Sequence, residues 1–353
     1  MEKAGTANKR ATQMSNRSRV TIREVAERVG VHPSTVSRVL NPVTRGQITP
    51  EVVDKVITVA NELGYRPNQA ARGLRTNRTS TIGVLIPDIT NPLFPPIIRG
   101  IEDGLSANGY TAILGNTDNI VSREMDAVAT MRARQVDGLI LATARRDDPL
   151  IAECLKDRLP VVLVNRTADA DGVSSIVNDD VLGISLAVCH LKELGHRRIA
   201  HIAGPQTLST GNARREGFLS VMGAKELLPD QKLVSETNAF SEDEGLRAAA
   251  QLISEGQEFT AIVAANDLLA LGAYEAIADA GLSCPGDISV TGFNDMPFVD
   301  RLSPPLTTIR IPHYELGREA ARRLIELIET PDSPARATTL RPELIVRGST
   351  AKV

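Results

Sequence analysis

Ser34, Thr35, Ser37 and Arg38 fall within five positions of one another, on the face of a short helical pattern opposite Val36, Val39 and Leu40. Short hydroxyl side chains and one guanidinium suit the base edges and phosphates of a nucleic acid, because nothing bulky holds such a helix away from a groove floor. A packing hairpin would not need that polar face.

The elements that must position these residues are legible around them, in VTIREVAERVGVHPSTVSRVLN, residues 20–41. Thr21 and Glu24 have the spacing of a capping box, so a first helix is expected to begin there. Ile22, Val25, Ala26 and Val29 recur at helical spacing as one apolar stripe, and Gly30 closes the helix. His32 then occupies the cap position of a second helix and Pro33 its first turn, where a missing amide proton is tolerated. A third helix is predicted from Thr49 and Pro50, with Val52, Val53, Val56, Ile57, Ala60 and Leu63 apolar, ending at Gly64. Residues 65–80, YRPNQAARGLRTNRTS, are basic and too poor in apolar side chains to pack alone, and read as a hinge that orders on contact.

Charge divides the chain in the same place. Residues 1–80 hold 14 Lys and Arg against 6 Asp and Glu, net +8, and the remainder holds 26 against 37, net −11. A basic head on an acidic body is the footprint of a polyanion-binding module joined to something else.

After the head and hinge about 270 residues remain, enough for a large core or two lobes. Short apolar runs at 81–87, 110–116, 138–143, 160–165, 196–204, 259–266, 287–293 and 306–312 read as strands. Helical stretches near 93–108, 121–134, 212–222, 242–255 and 267–280 lie between them. Such alternation predicts parallel sheets covered on both faces, and two sets of strands predict two α/β lobes. Ligands in such sheets gather at the carboxyl ends of strands, where Asn165, Asn266, Asp267, Asn294 and Asp295 stand. Asp267 reads as a helix cap, whereas Asn266 and Asn294 are better ligand candidates because an amide both donates and accepts.

Other chemistries find little support. Cys154, Cys189 and Cys284 are isolated, with no spacing for zinc or disulfide exchange. The sequence lacks GxSxG, HExxH, a Walker loop and a strand-linked GxGxxG, so neither catalysis nor a cofactor is expected. His190, His196 and His201 fit neither a zinc helix nor a triad, and His196, in a Gly-His-Arg-Arg turn, is expected to be structural. The polar, basic residues 1–18, expected to be disordered, contain no secretion core, and no run approaches the roughly 20 apolar residues of a membrane span. Cytoplasmic placement, on the nucleoid when DNA-bound, is expected. A solute-binding protein would share the body but not residues 20–80, and a sugar kinase would need a phosphate-cradling loop.

The segments VTIREVAERVGVHPSTVSRVLN, ITPEVVDKV, LGYRPNQAARGLRT and IGVLIPDITNPLF resemble the LacI/GalR family of transcriptional regulators in order and spacing, from residue 19 to about 350. The resemblance implies an all-α helix-turn-helix head (19–66), a hinge helix and linker (67–80), and a two-lobed periplasmic-binding-protein-like body (81–353). Lobe 1 is expected over about 81–176 and 310–338, and lobe 2 over about 177–309 and 339–353. It also implies a homodimer on a pseudo-palindromic operator, a small sugar-like effector between the lobes, and insertion of Leu74 into the minor groove. The candidate DNA-contacting set is Thr21, His32, Pro33, Ser34, Thr35, Ser37, Arg38, Asn41, Arg45, Tyr65, Asn68, Ala71 and Leu74. AGPQTLSTGNARREGF carries the family's effector arginine onto Arg214, the AND motif falls on Ala265–Asp267, and Phe94 and Phe240 match ligand-facing aromatics.

Several residues depart from the family. The connection 41–48 is about two residues longer than usual and brings in Arg45. His32 replaces a Ser or Thr cap, and Asn294 stands where Asp is common, with a similar exchange at Asn165. Loss of negative charge around Arg214 favours an effector with an acidic group. The terminal LRPELIVRGSTAKV has no heptad repeat of the kind that makes tetramers, which leaves a dimer as the expectation.

Overall fold

The structure, a computed structural model, describes residues 20–40, 42–65, 78–225, 227, 230–256 and 258–353. The chain divides into two units, Met1–Asn77 and Arg78–Val353.

In the first unit, helix α1 (Ile22–Val29) opens on the expected capping box. The Glu24 amide donates to Thr21 Oγ1 at 3.4 Å and the Thr21 amide donates to Glu24 Oε2 at 2.6 Å. Gly30 closes it with φ of 79°, a conformation that costs glycine nothing. Helix α2 (Pro33–Leu40) follows after a short turn. The connection expected over 41–48 contains a further helical turn, α3 (Pro42–Arg45), so the next helix, α4 (Pro50–Glu62), is the fourth in this unit and not the third. Val25, Ala26, Val36, Val39, Val56 and Ala60 form the core, one pair from each of the longer helices. Leu40, expected inside, is only half-buried.

The second unit holds two six-stranded sheets. Chain order gives β1 (Thr81–Ile86), α5 (Phe94–Ser106), β2 (Thr111–Asn116), α6 (Val121–Ala133), β3 (Gly138–Leu141), α7 (Pro149–Lys156), β4 (Val161–Val164) and β5 (Ser174–Asn178). It continues with α8 (Asp180–Glu193), β6 (Ile199–Ala203), α9 (Ser209–Ala224), β7 (Val234–Glu236), α10 (Glu242–Ser254), β8 (Ala261–Ala264) and α11 (Asp267–Asp279). The remaining elements are β9 (Ser289–Asn294), β10 (Thr307–Arg310), α12 (His313–Glu329), β11 (Ala337–Leu340) and β12 (Glu343–Ile345). The sheets run β11-β5-β4-β3-β1-β2 and β12-β10-β9-β8-β6-β7, so each position in one lobe has a counterpart in the other. Every pairing is parallel except β10 with β12.

The period of two along a strand explains the layers. Ile82, Val84 and Ile86 of β1 join the core shared with α5 and α12, while Leu85 joins Val128, Met131, Leu139 and Cys154 on the opposite face. The first sheet keeps its strand through Asn178 and reaches Leu340, whereas Arg310 belongs to β10 of the second. The chain therefore crosses between lobes at residues 179, 311–312 and 341–342, two or so residues beyond the crossings expected at 176, 309 and 338. At the first and third crossings the cause is that β5 and β11 pair with each other at the sheet edge, which holds both strands in register to their last residues.

Each lobe clamps one helix pair through glycine. A Cβ on Gly317 of α12 would run into the Ile97 carbonyl of α5, and one on Gly272 of α11 would run into the Glu242 carbonyl of α10. Gly317→Ala is therefore expected to lower stability by about 1–3 kcal/mol by forcing two backbones apart. Urea unfolding of the full chain measures this, and an unchanged midpoint would mean that the helices separate freely.

Candidate functional site

The head and body each present a candidate surface. On α2 Ser34 and Arg38 are exposed, and Pro33, Thr35 and Ser37 are half-buried. His32 does cap this helix, although it is neither Ser nor Thr: the Ser34 amide donates to its Nδ1 at 3.2 Å, with Ser34 Oγ 2.8 Å from the same atom. Acceptance at Nδ1 from an amide requires the ring proton to sit on Nε2. Thr21 spends its hydroxyl in the capping box. Arg45 turns back on the end of α2, its Nε donating to the Val39 carbonyl at 2.9 Å, while Thr44 Oγ1 donates to the Arg38 carbonyl at 3.0 Å. The extra residues of this connection thus satisfy α2's orphan carbonyls. Tyr65 packs against the head core. Asn41, Asn68, Ala71 and Leu74, with the expected hinge helix, lie outside the described residues.

In the body, Phe94, Asn165, Arg214, Phe240, Asn266 and Asn294 all line one cavity of about 260 Å³ between the lobes. Strand ends place the three amides: Asn165 follows β4, Asn294 ends β9 at the matching position of the other sheet, and Asn266 follows β8. Asn165 and Asn294 hold left-handed backbone, φ of 66° and 117°, which Asn tolerates better than most residues. Each buries an Oδ1 with no partner. Asn266 is different, because its Oδ1 accepts from the Leu269 amide at 2.9 Å and caps α11. Its NH2 end is what remains for a ligand.

The cap role expected of Asp267 therefore belongs to Asn266. Asp267 is instead fully buried, its Oδ1 accepting from Thr308 Oγ1 at 2.5 Å and its Oδ2 from the Met296 amide at 2.8 Å. It ties α11 to β10 and to the turn after β9. Burial pushes its carboxyl up to about 7, against the pull of those two hydrogen bonds. Because the folded value lies above the ordinary 3.8, this group's stabilisation is complete below about pH 4 and is lost as pH rises through about 7. Asp267→Asn mimics the neutral acid, so between pH 5 and pH 8 it is expected to lose about 2–3 kcal/mol less stability than the parent. Urea titrations of both proteins at the two pH values test this, and parallel pH profiles would refute it.

Arg214, on α9, is 2% exposed. Its Nε donates to Asp180 Oδ1 at 2.8 Å, its Nη1 donates to the Ala265 carbonyl at 2.6 Å, and its guanidinium carbon lies 3.7 Å from the Phe293 ring centre. Burial raises the Asp180 carboxyl and the guanidinium opposes that rise. The side chain is thus locked before any ligand arrives, which is how a binding group is preorganised.

Sequence reasoning missed a second group in the same cavity, comprising Glu124, Thr143, Arg145 and Arg166. Thr143 Oγ1 and Arg145 both donate to Glu124, the latter at 3.3 Å. Burial pushes the Glu124 carboxyl up. Arg166 sits immediately after Asn165, a position that alone could have flagged it. No metal-binding cluster occurs among the described residues. His196 is held by Thr260 and the Ala351 carbonyl, His190 by Thr350, and His201 stacks on Phe218 with a pKa pulled down to about 4 by burial. All three are structural. The three cysteines are free thiols. No helix among the described residues is long and apolar enough to cross a membrane.

A helical head carrying a polar α2 face and a two-lobed body with a cleft between strand ends match known proteins over both parts. Residues 21–68 match the model of bacterial regulatory proteins of the lacI family, and residues 188–350 that of the periplasmic binding protein-like domain. The chain is 36% identical to the ribose operon repressor of Escherichia coli K12 across 93% of its own length and 99% of that protein's. It superposes on a lac repressor dimer solved with operator and an anti-inducer with a TM-score of 0.82, at 29% identity, covering 94% of this chain and 99% of that one. A LacI-family regulator of Enterococcus faecium solved with bound ribose gives a TM-score of 0.68 at 33% identity, covering 77% of this chain and 99% of that one. Head and body together, and not the fold of either alone, assign this chain to the lacI family of bacterial regulatory proteins.

Proposed function

We propose that the chain is a transcriptional repressor whose operator affinity is set by a monosaccharide-class metabolite bound between its lobes. The observation that carries this reading is the cavity built from the matching strand ends of both lobes, in a chain that also carries a DNA-reading head. A ligand touching both lobes stabilises one relative arrangement over others, and only such differential contact can shift an equilibrium. The relatives named for the ribose operon, and the neighbours solved with ribose or with operator, support a sugar and a DNA partner.

The protein works as a cytoplasmic homodimer, associated with the nucleoid when bound. Each α2 enters a major groove of a pseudo-palindromic operator through Ser34, Thr35, Ser37 and Arg38, while residues 67–80 form the hinge and Leu74 wedges into the minor groove. Selection of tight-binding duplexes from a random library, followed by anisotropy titrations at several salt concentrations, tests it. Specific binding should fall steeply with salt, and a sugar that raises the melting temperature should change operator affinity at least tenfold. A stabilising sugar with no effect on DNA binding would defeat the proposal.

A further inference from the structure

The charge of the cavity speaks to the chemistry of its occupant. Arg145, Arg166 and Arg214 all line it. Two of them have carboxylate partners: Arg145 meets Glu124 at 3.3 Å and Arg214 meets Asp180 at 2.8 Å. Glu124, already held by Arg145, is the charge that favours the cation of Arg166, and among the described residues no ion pair is formed by Arg166. Its Nη1 makes one long hydrogen bond, 3.5 Å, to the Thr143 carbonyl, and its Nε is buried with no acceptor.

This guanidinium is only 6% exposed. Burial draws its pKa down to about 10, which leaves it charged at neutral pH. A buried cation without an ion pair of its own costs several kcal/mol, and a protein keeps one where something else adds compensation. Asp88, the remaining carboxylate of the lining, already accepts from the Thr90 amide and hydroxyl at 2.8 and 2.7 Å and makes no contact with Arg166.

The two strand ends that could have supplied a compensating carboxylate carry amides. Asn165 precedes Arg166 directly and Asn294 stands at the matching place in the other lobe, each with a buried, unpartnered Oδ1. An amide oxygen takes a hydroxyl proton without adding charge. The lining therefore offers acceptors for hydroxyls beside a guanidinium that shares its one compensating carboxylate, Glu124, with Arg145. At about 260 Å³ the cavity lies at the small end of ligand pockets, which fits one sugar ring and not two.

We infer that the effector is a monosaccharide-sized molecule bearing a carboxylate or phosphate, that Arg166 pairs with this acidic group, and that Asn165 and Asn294 hold hydroxyls of the same molecule. The inference rests on the reading of this cavity as the effector site. A guanidinium fork binds either anion side-on with two parallel hydrogen bonds, a stronger arrangement than neutral contacts provide.

Calorimetry on the full chain with matched sets tests it: glucose, gluconate and glucose 6-phosphate, then ribose, ribonate and ribose 5-phosphate, with inorganic phosphate as a further arm. An acidic member should bind at least tenfold tighter than its neutral parent, and the carboxylate and phosphate arms identify which acid is used. Arg166→Gln should abolish that preference, leaving acid and parent within about twofold. Without ligand the same variant should melt no lower than the parent protein, because it removes an unpaired buried charge. Neutral sugars binding as well as the acids, or an equal loss for both in Arg166→Gln, would overturn the inference while leaving a sugar-controlled repressor intact. Failure of every sugar, neutral or acidic, to bind would count against the effector site itself and take this inference with it.

Discussion

Arg214→Met is expected to destabilise the body by about 3–5 kcal/mol, the cost of leaving one member of a buried ion pair without the other. The loss falls on Asp180, whose carboxylate would face the protein interior with its 2.8 Å partner gone. The Ala265 carbonyl would lose its donor and the Phe293 face its cation at the same time. Methionine fills much of the space, so the effect is electrostatic and not a cavity effect. Asp180→Asn combined with Arg214→Met should recover a good part of the loss, since replacing both members removes the stranded charge. Urea unfolding of the full chain reads both variants, with the body's transition followed separately from the head's. Effector binding should vanish in either variant. An Arg214→Met protein as stable as the parent would mean that Asp180 is already neutral in the fold.

Val36→Asp is expected to abolish operator binding and leave the body untouched. Val36 is fully buried as one of six core residues, and a carboxylate there costs an amount comparable with the whole stability of so small a unit. Affinity should fall at least about 1,000-fold, to the level of non-specific attraction. Sugar binding should stay within about twofold, because the chain divides after Asn77 and the cavity belongs wholly to the second unit. The exposed Arg38 gives the contrast. Arg38→Ala should keep the head folded, by circular dichroism, and cost about 1–3 kcal/mol of operator binding. If Val36→Asp still bound its operator normally, α2 would not be the reading element.

The parts of the fold visible in the sequence are those where local chemistry and burial agree. The capping box, Gly30 and the apolar runs of β1, β4 and β8 each signal themselves within a few residues. β5 does not, because Ser174 and Ser175 are polar yet buried: Ser174 Oγ accepts from Arg323 Nε and from the Arg336 amide. A strand that satisfies its hydroxyls through a distant arginine has no apolar run to show. β7 spans three residues, too few for a period to establish itself, whereas β12 falls within the strand-like run of the terminal LRPELIVRGSTAKV.

The site divides in the same way. Asn165, Asn266 and Asn294 are found because strand ends are legible, and Arg214, Phe94 and Phe240 because a family pattern carries them. Glu124 gives no such sign. It lies in the first turn of α6, where an acid ordinarily serves the helix dipole in water, and only the fold reveals that it is buried against Thr143 and Arg145. Asp267 shows the opposite failure, since its place before an apolar helix mimics a cap that its neighbour in fact provides.

The three lobe crossings all leave from one edge of each sheet, through β5 and β11 on one side and β10 and β12 on the other. The first and third are stitched together where the Asp179 amide donates to the Leu340 carbonyl at 3.0 Å. Three neighbouring straps act like the spine of a book: sliding one cover past the other would stretch them all, whereas opening and shutting stretches none. The cavity runs from the turns after β4 and β9 near the spine out to those after β2 and β7 at the fore-edges, so a molecule there touches both covers across their width and opposes their opening.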